Sequence, residues 1–194
     1  TTAIFADRNA ANGKQVSLSA TALNGANASN YTISLAGAPT TTADITPKEL
    51  TIAGSFTANN KVYDGNTTAE IASNSLTLAG LITGDTVSIN AGTTTATFSD
   101  KNAANGKTVT LTATSLSGAN AANYSISLTG APTTTANITA KELTIAGSFT
   151  ASNKVYDATT SATVSTANTL FNGQVTGDDL HVSATGVFAA KTAG

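Results

Sequence analysis

Few side chains in this sequence are of the types that carry out chemistry. The sole histidine, His181, could act as a proton carrier near neutral pH. The adjacent carboxylates of Asp178-Asp179 could contribute oxygens to a calcium ion, which takes about six or more. Tyr63 and Tyr156 could stack against a sugar ring or tie loops together through their hydroxyl groups. These residues define three candidate sites: a proton-transfer site, a calcium site and a carbohydrate site.

Two of these candidates do not recur in the internal repeat of the sequence, which has an offset of 93 residues. His181 corresponds to Ser88, and Asp179 corresponds to Thr86. We therefore expect a surface histidine and turn-forming aspartates. The two tyrosines do recur, and we favour a structural role for them. The sequence thus predicts no catalytic, cofactor-binding or metal-binding residue and no cofactor, and the chain is not expected to be an enzyme.

The repeat is anchored by one short motif. Lys61-Val62-Tyr63-Asp64-Gly65 returns as Lys154-Val155-Tyr156-Asp157-Ala158, 93 positions later. Two further stretches recur at the same offset, Asn12-Gly13-Lys14 as Asn105-Gly106-Lys107 and Lys48–Ile52 as Lys141–Ile145. A unit repeated in series more often provides length and surface than chemistry. We therefore expect the motif residues Lys61–Gly65 and Lys154–Asp157 to be structural.

The composition excludes several functional classes. The 194 residues are 40% hydrophobic but only 10% charged, with eleven acidic and nine basic side chains and a net charge of −2. This balance argues against nucleic-acid binding, which needs clustered Lys and Arg. The absence of cysteine excludes disulfides and thiolate zinc sites. No apolar run is long enough to cross a membrane. With no methionine at all, we expect the chain to be a segment of a longer protein.

Apolar residues alternate with Thr and Ser along most of the chain, which predicts an all-β fold. Examples are Leu50 and Ile52, Ala96 and Phe98, Val109 and Leu111, Tyr124 and Ile126, and Ala136 and Ile138. We expect tandem immunoglobulin-like β-sandwich repeats of about 93 residues arranged end to end. A β-grasp-like repeat is the alternative, but it needs a crossing helix that we do not find.

Turn residues divide the predicted strands. Thr83-Gly84-Asp85 predicts a turn before a strand, and Asn12-Gly13 and Asn105-Gly106 predict tight turns with positive φ. Residues 100–104 could form a single helical turn. The second copy lacks three residues near Ala91-Gly92-Thr93, which predicts the tip of a hairpin because loops tolerate deletions.

Two domain frames fit the repeat. In the frame that we favour, residues 1–93 and 94–194 are two whole units, which predicts a monomeric rod. In the alternative frame, residues 46–138 form a complete repeat between half repeats at 1–45 and 139–194. The second frame exposes strand edges at both ends, so neighbouring chains would pair head-to-tail.

Several anchors at fixed spacing make the chain resemble the YDG repeat of large bacterial surface and secreted adhesins, which is similar to the MBG repeat. The matching residues are Lys61–Ala69, Gly84-Asp85, Phe98–Ala103, Asn123-Tyr124, Ile138-Thr139 and Lys141–Ile145. The resemblance covers essentially the whole chain and implies long, exported fibres used in attachment and biofilm formation. It implies no catalytic residues. Ala158 departs from the motif, because glycine at this position suits a positive φ.

These observations predict structural stalk or spacer repeats of a bacterial cell-surface adhesin or extracellular fibre. The alternative is a ligand-binding adhesion module for carbohydrate or host protein. The expected partners are neighbouring repeats of the same long chain, with surface glycans and host or matrix proteins as further candidates. We expect an extracellular location, no nucleic-acid partner and no membrane insertion.

Overall fold

The computed structural model describes residues 1–167 and 169–191, and the fold is all-β. The alternating positions become strands because one face of each strand can be buried while its Thr and Ser face stays in water. The strands are β1 (Thr2–Phe5), β2 (Ala11–Ala20), β3 (Thr41–Ile45), β4 (Lys48–Ala58), β5 (Lys61–Val62), β6 (Thr68–Ala69), β7 (Ile71–Ala79), β8 (Ser88–Ile89), β9 (Thr95–Phe98), β10 (Ala104–Ala113), β11 (Leu116–Ser117), β12 (Tyr124–Ser127), β13 (Thr133–Thr139), β14 (Thr144–Gly147), β15 (Thr150–Ala151), β16 (Ser161–Ala162), β17 (Val164–Ser165), β18 (Thr169–Asn172) and β19 (Gly186–Val187).

Short 3-10 turns are the only helical segments within the described residues. They lie at Ala28–Asn30, Ala91–Thr93 and Ala121–Asn123. No helix in the described part of the chain has the length and apolar character needed to cross a bilayer.

The chain divides into two compact units. The first comprises residues 1–59, 68–99 and 108–136, and the second comprises residues 60–67, 100–107 and 137–194. The division does not follow the repeat, because two loops of the middle repeat belong to the second unit. Each unit is described separately below.

Strand β4 is the longest strand of the first unit. It pairs antiparallel with β7, from Thr51 opposite Ala79 to Ala58 opposite Ile71. On its other edge, β4 pairs parallel with β12, with Tyr124 opposite Lys48. Strands β1, β2 and β3 form a second antiparallel sheet, and β8 pairs with β11. Strand β9 pairs antiparallel with β10, with Phe98 opposite Val109, and with β6, with Ala96 opposite Ala69.

The core of the first unit comes from the alternating residues. The buried apolar side chains are Leu50, Ile52, Phe56, Ala69, Ala96, Phe98, Val109, Leu111, Tyr124 and Ala136. Leu50 and Val109 are completely inaccessible to solvent. Burying a side chain of this size contributes roughly 1.5–3 kcal/mol relative to leaving it exposed. All of these residues lie between positions 50 and 136, so the middle repeat holds the core.

The second unit is built from short strand pairs. β5 pairs parallel with the end of β13, with Lys61 opposite Ile138. Antiparallel pairs join β14 to β18, β15 to β17 and β16 to β19. In residues 139–167 and 169–191, no side chain is fully buried.

Two turn predictions are wrong. Asn12-Gly13 and Asn105-Gly106 lie inside β2 and β10, where Gly13 and Gly106 have φ values of 63° and 64°. The pairing of β2 with β3 shifts register between Ala11 and Lys14, so the positive φ is absorbed by a bulge within the strand.

The predicted hairpin tip at Ala91-Gly92-Thr93 is also wrong. These residues form a 3-10 turn between β8 and β9, which pair with other strands rather than with each other. Residues 100–104 form bends and the start of β10 rather than a helical turn. The turn at Thr83-Gly84-Asp85 is confirmed, because the Asp85 amide donates to the carbonyl of Ile82 at 3.1 Å.

Candidate functional site

The first copy of the repeated motif forms a tight loop around a lysine. The Lys61 ammonium donates to Asp64 Oδ1 at 2.7 Å and to the backbone and side-chain oxygens of Asn66 at 2.8 and 2.9 Å. Asp64 also accepts the Asn66 amide at 3.1 Å. The hydrogen bond from Lys61 lowers the pKa of the Asp64 carboxyl. Gly65 has a φ of 81°, in the left-handed region that favours glycine.

The second copy forms the same loop. Lys154 Nζ donates to Asp157 Oδ1 at 2.7 Å and to the Thr159 carbonyl at 2.9 Å. The hydrogen bond from Lys154, followed by the Thr159 amide, lowers the pKa of Asp157 to about 2. Ala158 has a φ of 60° and is the one non-glycine residue with a positive φ in the described chain. The departure at Ala158 therefore leaves the backbone conformation of the motif intact.

The tyrosine of the first motif contacts the following repeat segment. The Tyr63 hydroxyl donates to Asp178 Oδ1 at 2.9 Å. The Lys101 ammonium lies 3.8 Å from the same oxygen. A Cβ added to Gly65 would lie only 2.7 Å from Val175 Cγ1, so this loop approaches the turn before Asp178 closely. We call these contacts the second joint.

A matching set of contacts lies 93 residues earlier. Arg8 Nη2 donates to Asp85 Oδ1 at 2.7 Å. Arg8 and Asp85 occupy the positions of Lys101 and Asp178, so the same cation-to-carboxylate contact occurs twice. The Tyr124 hydroxyl donates to Asp85 Oδ2 at 2.6 Å. Burial, and then this hydrogen bond, raise the pKa of the Tyr124 hydroxyl.

An asparagine adds backbone and side-chain contacts to this earlier set. Asn123 Oδ1 accepts the amide of Ala10 at 2.8 Å, and Asn123 Nδ2 donates to Asn9 Oδ1 at 3.2 Å. We call the contacts of residues 8–10 with Asp85 and residues 123–124 the first joint.

In each joint, the loop that carries the cation also contains an aspartate that pairs with a lysine seven residues later. Lys107 donates to Asp100 Oδ1 at 2.6 Å, and Lys14 pairs in the same way with Asp7. Each lysine is only 9% exposed. The hydrogen bond from the lysine lowers the pKa of both aspartates. The sequence offered Tyr63 and Asp178 as candidate residues and Asp85 as a turn residue, but it did not predict their contacts with one another or with the cations. The recurrence of charged positions 7, 8, 14 and 85 at an offset of 93 residues could have identified them.

A groove of about 280 Å³ lies beside the second joint. Its lining is mainly apolar and includes Tyr63, Ala103, Leu143, Val175 and Leu180. One edge of the motif tyrosine therefore faces a concave surface that a small ligand could enter.

The other candidate residues do not converge. His181 Nε2 lies 3.3 Å from Asp179 Oδ1, and these side chains are 88% and 89% exposed. Within residues 1–167 and 169–191, no group of three or more His, Cys, Asp or Glu side chains could hold a metal ion. Val62 and Val155 of the two motifs are both exposed.

A family model described as the YDG domain matches residues 1–43, 46–136 and 139–194. No curated protein and no solved structure gives a significant match. The first joint connects the first and second matched segments, and the second joint connects the second and third.

Proposed function

The chain belongs to the YDG domain family, and on that premise we propose that it forms structural spacer repeats of a bacterial cell-surface adhesin or extracellular fibre. The role of the repeats is to hold successive units together in a long stalk that supports attachment or biofilm formation. The partners are neighbouring repeats of the same chain, and the location is extracellular. The bacterial, extracellular and adhesive parts of this proposal rest on the resemblance of the motifs to adhesin repeats.

The observation that carries the proposal is the repeated ion pair between segments. Arg8 with Asp85 and Lys101 with Asp178 connect consecutive family segments at equivalent positions. In each pair the carboxylate is less exposed than its cation, at 7% against 72% for Asp85 and Arg8 and 22% against 50% for Asp178 and Lys101. Repeats that are connected to one another by recurring side-chain contacts are suited to forming a long stalk that carries load.

The proposed repeat is an immunoglobulin-like sandwich, with a β-grasp-like repeat as the alternative. The β12-β4-β7 sheet and the β10-β9-β6 strands both contribute buried side chains, which supports two packed layers. The parallel pairing of β4 with β12 adds a feature that a chain of hairpins lacks. The division into residues 1–93 and 94–194, and the alternative into 1–45, 46–138 and 139–194, remain predictions.

Backbone alignment measured by NMR tests the spacer proposal. Residual dipolar couplings of residues 1–43 and 46–136 should fit one common alignment tensor, because the first joint holds these segments together. Asp85→Ala should require separate tensors, whereas Asp179→Ala, at an 89% exposed side chain, should not. Separate tensors in the unmodified chain would contradict the proposal.

The groove beside Tyr63 favours a second candidate, a ligand-binding adhesion module for carbohydrate or host protein. A glycan array and a cell-surface binding assay distinguish the two functions. A spacer should show no saturable binding. Saturable binding that is lost in a folded Tyr63→Ala variant but kept in Tyr156→Ala would establish the ligand-binding function instead.

A further inference from the structure

The repeated Asn-Gly pairs contain a reactive arrangement that the proposed function does not use. The side chain of an asparagine can react with the backbone nitrogen of a following glycine, because glycine has no Cβ to hinder the approach. Four Asn-Gly pairs occur in the sequence, and two of them, Asn12-Gly13 and Asn105-Gly106, are equivalent at the offset of 93 residues. Both lie within the same tetrapeptide, Ala-Asn-Gly-Lys. The local sequence therefore gives these two asparagines the same intrinsic reactivity.

The backbone has the same conformation at the two pairs. Gly13 and Gly106 have φ values of 63° and 64°, and both glycines are exposed. The register of β2 with β3 shifts between Ala11 and Lys14, so Gly13 lies outside the regular ladder of the two strands. The glycine amide at this bulge is therefore available to a side-chain acceptor.

One position of the repeat supplies that acceptor in both copies. The Gly13 amide donates to Asp44 Oδ1 at 2.7 Å, and the Gly106 amide donates to Asn137 Oδ1 at 2.7 Å. Asp44 and Asn137 are themselves 93 residues apart. The geometry of the hydrogen bond is thus shared, but the acceptor is a carboxylate in one copy and a neutral carboxamide in the other.

The lysine that follows each pair has the same surroundings in the two copies. Lys14 pairs with Asp7, and Lys107 pairs with Asp100. Each of these lysines is 9% exposed. These ion pairs match, so the difference in charge beside the two glycine amides comes from the acceptor.

We propose that Asn105 is a site of spontaneous deamidation, and that the side chain at positions 44 and 137 sets the rate of this reaction. The Gly106 nitrogen loses its proton to solvent and attacks Cγ of Asn105. A C–N bond forms, the bond from Cγ to Nδ2 breaks, and Nδ2 takes up a proton and leaves as ammonia. Water then opens the cyclic imide at either carbonyl and gives aspartate or isoaspartate. The net change is the replacement of NH by O, and the isoaspartate product also lengthens the main chain of β10.

The acceptor controls the first step, because the reaction begins with loss of the amide proton. The Asp44 carboxylate holds this proton more strongly than a carboxamide does, since hydrogen bonds to charged acceptors are stronger. It also disfavours the anionic nitrogen that forms when the proton leaves. A neighbouring charge changes a proton-binding equilibrium by about tenfold or more. Deamidation at Asn12 should therefore be about tenfold slower than at Asn105.

Peptide mass spectrometry of the whole chain after incubation at neutral pH tests the proposal. The peptides that contain Asn12 and Asn105 are quantified separately, in the folded chain and in guanidinium chloride. In the denaturant the two should react at equal rates, because their tetrapeptides are identical. In the folded chain Asn105 should react about tenfold faster. Equal rates in the folded chain would overturn the proposal, as would faster reaction at Asn12, which would show that the Asp44 carboxylate acts as a base.

Exchanging the two acceptors tests the assigned cause. Asn137→Asp should slow deamidation at Asn105 to the rate of Asn12. Asp44→Asn should accelerate deamidation at Asn12 by about tenfold. Each variant carries the residue that the equivalent copy already has, so the hydrogen bond and the fold should be kept, which circular dichroism checks. An unchanged rate in either folded variant would overturn the proposal.

Asp179→Asn is the matched control for Asp44→Asn. It removes the same charge from a side chain that is 89% exposed and lies next to His181 rather than next to a glycine amide of an Asn-Gly pair. The rates at Asn12 and Asn105 should both stay unchanged. If Asp179→Asn accelerated Asn12 as much as Asp44→Asn does, the effect would belong to net charge and the proposal would be overturned.

Discussion

The two joints place the same carboxylate in different surroundings. The Asp85 side chain is 7% exposed and accepts from Arg8 at 2.7 Å, whereas the Asp178 side chain is 22% exposed and lies 3.8 Å from Lys101. The guanidinium forms a direct hydrogen bond, and the more distant ammonium contributes mainly as a charge. The carboxylate is therefore the constant member of the joint, whereas the cation that faces it differs between the two joints.

The tyrosine donors differ as well. Asp85 accepts from Tyr124 of its own family segment, and Asp178 accepts from Tyr63 of the preceding segment. The two carboxylates therefore accept from tyrosines at different positions of the repeat.

Removing the buried carboxylate should have the largest effect. Asp85→Ala leaves the Arg8 guanidinium and the Tyr124 hydroxyl without their shared acceptor. Hydrogen bonds to charged groups contribute about 1.5–3 kcal/mol, so the free energy of unfolding should fall by about that amount. Asp178→Ala should cost less because its carboxylate is more exposed. Urea denaturation followed by NMR of each segment measures the difference, and equal losses would contradict the ranking of the joints.

Exchanging the residues at the left-handed position should give effects of opposite sign. Gly65→Ala introduces left-handed strain of roughly 1–2 kcal/mol and pushes a methyl group against Val175. Ala158→Gly relieves the same strain, offset by roughly 0.5–1 kcal/mol of glycine entropy, so it should be neutral to mildly stabilising. Thermal unfolding of the two single variants tests this. A stabilising Gly65→Ala would show that the loop does not require a left-handed residue.

Removing the tyrosine hydroxyl should have different effects in the two copies of the motif. Tyr63→Phe loses the hydrogen bond to Asp178 and should reduce stability by about 1 kcal/mol. Amide hydrogen exchange should become faster near Val175 and Asp178. Tyr156→Phe is the matched control and should change neither quantity, because Tyr156 is 67% exposed. Indistinguishable variants would remove Tyr63 from the second joint.

Acidification should act on the loop of Asp157 and Lys154, and of these changes it should alter the stability of the whole chain least. The pKa of Asp157 in the folded chain is about 2, below the ordinary 3.8. Its stabilising contribution is therefore complete above about pH 4 and is lost as the pH falls through 2. NMR titration of the Asp157 carboxyl and the Thr159 amide should show one transition in this range. Lys154→Met should move that transition toward the ordinary pKa, and an unchanged transition would contradict the assigned cause.

The sequence predicts the features that arise from local pattern. The alternation of Leu50 with Ile52, and of Ala96 with Phe98, identifies buried strand faces that the structure confirms. The Thr83-Gly84-Asp85 turn is also confirmed, because its turn-forming residues are a local pattern as well. The tight turn predicted at Asn12-Gly13 was wrong because a positive φ is compatible with a bulge as well as with a turn.

The joints depend on contacts that local pattern does not encode. Arg8 and Asp85 are 77 residues apart, and Tyr63 and Asp178 are 115 residues apart. The alternation of apolar and polar residues along a strand does not link positions that are so far apart in the sequence. The parallel pairing of β4 with β12 is equally nonlocal, since it joins the beginning of a repeat to its later half. Only the recurrence of charged residues at an offset of 93 positions carried a signal, and it did not identify their partners.

The shared carboxylate has a consequence for how such a chain can change its length. Each period of 93 residues carries both the donors, Tyr63 and Lys101, and an acceptor, Asp85. Tandem duplication of one period therefore creates a new donor and its acceptor in a single genetic event, with no further mutation. Deletion of one period likewise rejoins a compatible pair. Recombination between copies can then lengthen or shorten the chain by whole periods while every junction keeps the same chemistry.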